Sequence, residues 1–235
     1  TDAPRCYEEK LADAMQSSGE TGLVHFEIED KAMEQRLDAF ARENDFERSE
    51  LPSPMFSCRR EEFRAFASGK SRLLMGDFYK QQRRRLGVLI DEDGEPAGGR
   101  WSFDADNRKK LPRNVSPPDM TWAVRTAHAD AVIALVERVF PAHPGRESEF
   151  AWPTTRTQAR AWLDDFIENR LEQFGPYEDA MTTRSSTLFH SVLSPCLNMG
   201  LLTPDEVVSR VMDHADRVPL QSLEGFARQV IGWRE

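Results

Sequence analysis

The sequence predicts an α-rich mixed fold in three parts: an α/β stretch over residues 1–90, a connection over 91–122 and a helical region over 123–235. Three observations predict it. Near the start, two short runs rich in β-branched and aromatic residues flank a helical pattern. Residues 91–121 then carry Asp-Glu-Asp-Gly, Gly98-Gly99, Pro112, Pro117 and Pro118, which is loop chemistry. From about Ala123 onward, apolar residues recur at helical spacing.

Composition sets the bounds. The 235 residues are 39% hydrophobic and 30% charged, with a net charge of −9, enough for a sizeable core beneath a polar surface. No apolar run approaches the eighteen residues of a membrane span, and no leader pattern opens the chain, so a cytoplasmic monomer is expected. The first residue is Thr1, and a piece of a longer protein is the natural expectation. Cys6, Cys58 and Cys196 are odd in number and widely spaced; they indicate reduced buried thiols and no metal site. The acidic balance argues against wholesale nucleic-acid coating. Two local basic clusters, Lys80 with Arg83–Arg85 and Arg108–Lys110 with Arg113, read first as solvated helix ends or loops.

Taken in order, Gly22–Ile28 reads as a strand, with His25 as a core or edge residue. Glu29 or Asp30 starts a helix with Met33, Leu37, Phe40 and Ala41 on one face, and Phe46–Leu51 is a second strand. Strand, helix, strand in that order argues a parallel unit. A helix carrying Phe63, Phe66 and Ala67 closes at Gly69. Residues 72–90 form another helix, packed through Leu73, Leu74, Phe78 and Tyr79, with Arg83–Arg85 on the far side. In the connection, Arg100, Trp101, Phe103, Asp104, Asn107 and Arg108 read as a structural clamp. Val132, Leu135, Val136 and Val139 mark a helix ended by Pro141. A further helix buries Ala159, Trp162, Leu163, Phe166 and Ile167, with Asp164 and Asp165 on a solvated face.

Residues 182–206 concentrate hydroxyl and imidazole groups ahead of two closely spaced helix starts. Ser194 is placed as an N-cap with Pro195 first in the helix and Gly200 as a left-handed stop. Thr203, Pro204 and Glu206 make a capping box for the next helix. Such N-termini can hold an anion, and they can equally be two well-capped helices and nothing more.

The run FHSVLSPCLNMGLLTP (189–204) resembles the flavin-binding segment of the photolyase/cryptochrome family, in particular its bacterial iron–sulfur and (6-4) branch. FYKQQRRRLGVLI (78–90), GEPAGGRWSFDADNRKKLP (94–112), WPTTRTQARAWLDDFIENRL (152–171), FGPYEDAM (174–181) and IGWRE (231–235) resemble the same branch in the same order. The resemblance implies the later part of a Rossmann-like α/β antenna domain, an interdomain linker and the first part of an all-helical FAD-binding domain. It implies FAD-contacting roles for Tyr177, His190, Ser191, Leu193, Ser194, Trp233 and Arg234, the last on the flavin phosphates. His190 stands where the family motif has Thr.

The activity implied is light-driven repair of UV-damaged DNA, with reduced FAD passing an electron to a pyrimidine photoproduct flipped out of the duplex. The alternative implied is a cryptochrome-like blue-light receptor that signals and does not repair. A ribityl-lumazine-type antenna pigment and an iron–sulfur cluster are expected only of a full-length protein. The lesion-side catalytic residues are expected downstream of Glu235.

Overall fold

The computed structural model describes residues 6–235. They fall into two compact units, Thr1–Pro54 and Met55–Glu235. The elements between residues 55 and 90 belong to the second unit, where Met75–Leu86 packs against the Gln229–Trp233 turn.

In the first unit, helix α1 (Tyr7–Ser18) precedes strand β1 (Gly22–Phe26), helix α2 (Lys31–Glu43) and strand β2 (Glu47–Leu51). The two strands pair in parallel, Gly22 opposite Glu47 through Phe26 opposite Leu51, as the strand–helix–strand order requires. The Asp30 carboxylate accepts the Met33 N–H at 2.7 Å and fixes the start of α2. Leu37 and Phe40 then join Met15 of α1 in a small core, with Leu23 and Phe46 packed against it. Alternation along β1 turns Val24 and Phe26 outward. The sequence reading had no counterpart to α1.

The second unit contains α3 (Arg60–Ala67), α4 (Met75–Leu86), α5 (Ala127–Val139), α6 (Arg156–Asn169), α7 (Leu171–Tyr177), α8 (Ser194–Asn198), α9 (Pro204–Met212) and α10 (Leu220–Arg228). Its core is built from Trp162, Leu163 and Phe166 of α6, Phe174 of α7, Val207 and Val211 of α9, and Leu223, Phe226 and Ala227 of α10. The α7–α10 crossing is close: a Cβ on Gly175 would stand 2.8 Å from Ser222 Cα. Glycine is therefore required there. The Ser222 hydroxyl accepts the Gly175 N–H at 3.0 Å and donates to the Glu172 carbonyl at 2.7 Å.

Four expectations change. Arg83 is not on a solvated face; it is fully buried, and its guanidinium donates to the carbonyls of Val88, Leu89 and Trp101. A planar fork of five donors can satisfy the carbonyls freed where α4 ends, which a run of three arginines in sequence does not reveal. Leu73 and Leu74 lie before α4 and are exposed, so Phe78 and Tyr79 carry the packing. Asp165 is half-buried and pairs with the buried Arg170 at 2.8 Å, while Asp164 pairs with Arg210 near the surface. Cys6 is exposed; Cys196 is buried in the core as expected.

The connection does clamp. Phe103 is buried and its N–H donates to Glu224 Oε2 at 2.8 Å; Asn107 donates to the Gln221 carbonyl at 3.1 Å. Arg84 lies over the Trp101 ring at 4.4 Å. No helix among the described residues is long and apolar enough to cross a membrane.

Candidate functional site

The chain between α7 and α8 supplies the site. The Ser185 hydroxyl accepts the N–H groups of Thr187 and Leu188 at 3.2 and 2.9 Å, and the His190 N–H reaches the Thr187 carbonyl at 3.0 Å. Arg184 anchors this segment by donating to the carbonyls of Pro112, Arg113 and Val115. Leu188 and Val192 adopt left-handed backbone angles, φ 50° and 55°. That conformation costs an L-residue about 1–2 kcal/mol, and it is a genuine outlier for β-branched Val192. Strain of this kind persists only where the surroundings over-determine it, and it clusters at ligand clamps.

The first helix start is shifted by one residue from the sequence reading. Leu193 is the cap, Ser194 the first helical residue and Pro195 the second, and α8 has no side-chain cap hydrogen bond. Gly200 closes the helix at φ 70°, with the Leu201 N–H on the Cys196 carbonyl at 2.9 Å. At the second start the Thr203 hydroxyl accepts the Glu206 N–H at 3.2 Å. The Glu206 carboxylate is spent on Arg156 and Arg160, at 2.8 and 2.7 Å, in place of the second half of a capping box. The α9 start is thus self-contained, and the polar groups ahead of α8 are what face open space.

They line a cavity of about 440 Å³. Ser186, Thr187, His190, Ser191, Ser194 and Gln229 give it hydrogen-bonding groups; Phe174, Val192 and Phe226 give it apolar surface; Glu178 and Asp179 form an acidic edge. Burial holds the His190 imidazole below its ordinary pKa of 6.5, with partial opposition from Asp179. A second cavity of about 560 Å³ shares Glu178, Asp179 and Gln229 with the first. It adds Tyr79, Lys80, Trp101, Arg108 and Trp233. Trp233 sits on a wide turn, Gln229–Trp233, that continues α10 and in which the Arg234 N–H reaches back to the Gln229 carbonyl.

At the edge shared by the cavities stands an ion network around the buried Arg228. Arg228 reaches Glu178 at 2.7 Å, Asp104 at 3.0 Å and Glu224 at 3.3 Å. Gly225 allows this packing, since a Cβ there would stand 2.7 Å from Glu178 Oε2. Burial, helped by Asp179 and Asp104, pushes the Glu178 carboxyl above its ordinary 4.5 despite the arginine.

The structure therefore brings His190, Ser191 and Ser194 together in one cavity and puts Trp233 in the adjoining one. Leu193 is a core residue, and Tyr177 stacks on Phe189 with ring centroids 5.5 Å apart. Arg234 is drawn elsewhere: it donates to the Met55 carbonyl at 2.6 Å and lies 4.6 Å from the Phe56 ring centroid. Next to it the buried Glu235 carboxylate accepts the N–H groups of Ser57 and Cys58 at 3.1 and 2.8 Å. The sequence reading gave no role to Glu178, Gln229 or Glu235, and it placed Lys80 in a solvated basic cluster. For Gln229 the one available signal was its place four residues before Trp233. Among the described residues, no group of three or more His, Cys, Asp or Glu is placed to hold a metal ion.

Comparison with known proteins adds the lineage. Residues 1–152 match the family described as deoxyribodipyrimidine photo-lyase-related protein. The chain belongs to this family. It is similar to a (6-4) photolyase of Agrobacterium fabrum, 39% identical over 176 residues, which cover 74% of this chain and 34% of that protein. It is also similar to the uncharacterized protein R853 of Acanthamoeba polyphaga mimivirus, 45% identical over 62 residues, or 25% of this chain and 47% of that protein. The chain thus spans about a third of the curated photolyase and about half of the viral protein. In fold it resembles the crystal structure of a bacterial class III photolyase from Agrobacterium tumefaciens. There the TM-score is 0.55 at 16% identity, covering 98% of this chain and 42% of the other. The photolyase-related family match ends at residue 152; it lies before the first cavity's residues and includes Tyr79, Lys80, Trp101 and Arg108 of the second.

Proposed function

We propose that this chain holds FAD for a light-driven photolyase in the paired cavities, and that the parent activity is (6-4)-type repair of UV-damaged DNA. One observation carries the reading: His190, Ser191 and Ser194, which lie in the segment resembling the family's flavin-binding motif, line one cavity with Thr187 and Gln229.

The residues fit such a group at both ends. Hydroxyl, imidazole and amide donors on the first cavity suit phosphate oxygens. Trp233, Trp101 and Tyr79 give the second cavity aromatic surface, and Lys80 and Arg108 give it positive charge. When bound and reduced, FAD would supply the electron for repair. The chain's own part is to bind, orient and keep water out. Ser191 and Ser194 would hold its phosphates, Gln229 and Glu178 line the junction of the cavities, and Phe174 and Phe226 give one wall an apolar surface. Arg234 is not given a phosphate here, because its Nη1 donates to the Met55 carbonyl, its guanidinium lies on the Phe56 ring and it lines neither cavity.

The test is a titration of the purified chain with FAD, followed by flavin fluorescence. Saturable binding near one FAD per chain, lost when Ser191 and Ser194 are both replaced by Ala, supports the reading. Binding that ignores those substitutions removes it. Repair of a (6-4) photoproduct oligonucleotide by the full-length protein under blue light tests the parent activity. Light-dependent partner binding without repair would favour the receptor.

A further inference from the structure

We infer that Trp162 is a positioning residue for the cavity: its indole N–H holds the Ser191 carbonyl and so keeps the strained turn from Leu188 to Val192 shaped around the ligand. The inference rests on the reading above for the identity of that ligand, and Trp162 acts through Ser191 without touching it.

The geometry is specific. Trp162 is buried on α6, and its Nε1–H donates to Ser191 O at 3.1 Å. The indole nitrogen is a donor only, so it cannot satisfy itself from an N–H or a guanidinium. Its direction is fixed by two neighbours. Trp152 stacks on the ring with centroids 5.6 Å apart and planes 13° apart. Trp122 meets it edge-on at 5.6 Å and 75°. Three large rings thus lock one hydrogen-bond vector onto one carbonyl.

The turn needs such a hold. Left-handed Leu188 is restrained through the Ser185 hydroxyl, which accepts its N–H. Left-handed Val192 directly follows the carbonyl that Trp162 holds. Ser191 and Val192 both line the cavity. Without the indole N–H, the peptide between them is free to rotate, and Val192 can leave a conformation that its branched side chain disfavours. Rotation of that peptide changes ψ of Ser191 and φ of Val192, and with them the cavity wall that the two residues form.

Trp162→Phe removes the donor and keeps most of the ring. Ile167→Val, a core truncation on the same helix, is the control for simple loss of packing. Two readouts are made on the full chain. The first is FAD affinity: Trp162→Phe is expected to weaken it about fivefold, the typical worth of one hydrogen bond, and Ile167→Val to leave it within twofold. The second needs no ligand: limited proteolysis within residues 186–194 is expected to speed up in Trp162→Phe and not in Ile167→Val. Should Trp162→Phe fail to fold, Trp152→Leu, which frees the ring but keeps the N–H, is expected to shift both readouts in the same direction by less. Unchanged proteolysis in the Trp162 variant overturns the inference whether or not FAD binds. Faster proteolysis with unchanged FAD affinity overturns it too. Faster proteolysis in a chain whose wild type binds no FAD keeps the hold on the turn and overturns the ligand assignment instead.

Discussion

Two short stretches resemble family motifs, and the structure uses their side chains differently. In Ser186–Ser194 the hydrogen bonds that shape the turn run through Ser185, Thr187 and the backbone, and the side chains of His190, Ser191 and Ser194 are left at a cavity wall. In Trp233–Glu235 only Trp233 lines a cavity, while Arg234 Nη1 donates to the Met55 carbonyl and Glu235 accepts from Ser57 and Cys58. A side chain's chemistry says what it can bind. Whether it is available depends on which of its donors and acceptors the fold has already used.

The contrast can be broken most forcefully at Glu235. Glu235→Ala leaves two half-buried N–H groups without their acceptor and is expected to cost about 2 kcal/mol in urea unfolding. For a chain of this size that is a fall in Tm of roughly 5–10 °C. FAD affinity of the folded fraction is expected to stay within twofold. A large loss of affinity at unchanged stability would put Glu235 in the site.

The converse comes next in size. Ser191→Ala with Ser194→Ala is expected to weaken FAD binding by about tenfold or more, since two donors are lost, while the Tm of the ligand-free chain moves little. Calorimetry of both variants sharpens or erases the division between a binding stretch and a structural one.

Glu178 gives a smaller effect that depends on pH. Its folded pKa is raised above 4.5, so its contribution to stability is complete below about pH 4.5 and is lost as pH rises through the folded value. Glu178→Gln is expected to remove that part of the pH dependence, read as a flatter plot of Tm against pH. A slope unchanged from wild type would exclude Glu178 as its source.

His190 is expected to give the smallest change, of opposite sign. Its folded pKa is held below 6.5 by burial, so its contribution is complete above about pH 6.5 and fades as pH falls through the folded value. His190→Asn should flatten stability on the acid side, and NMR titration of the ring should give a midpoint below 6.5. A midpoint above 6.5 would mean that Asp179 outweighs burial.

Some of this was legible in the sequence for clear reasons. The β1–α2–β2 unit announces itself by β-branched runs, an Asp cap and a helical stripe, all of which are local signals. Gly200 and Thr203 were readable because a left-handed stop and a hydroxyl cap depend on neighbours a few residues away. Arg83 was not, because its three carbonyl partners are gathered by a turn and a distant loop. Arg234 and Glu235 were not either, since their partners lie near residue 55. The stripe of α5 shows the limit from the other side: Val132, Leu135 and Val139 keep helical spacing, yet all three are exposed. Periodicity fixes the helix and does not say what covers it.

The most direct test of the central claim is a side-by-side FAD titration of the wild-type chain and the Ser191→Ala/Ser194→Ala variant at neutral pH. The account predicts stoichiometric binding by the first and at least a tenfold weaker curve for the second, with matching far-UV circular dichroism. Superimposable curves from two equally folded proteins would contradict it.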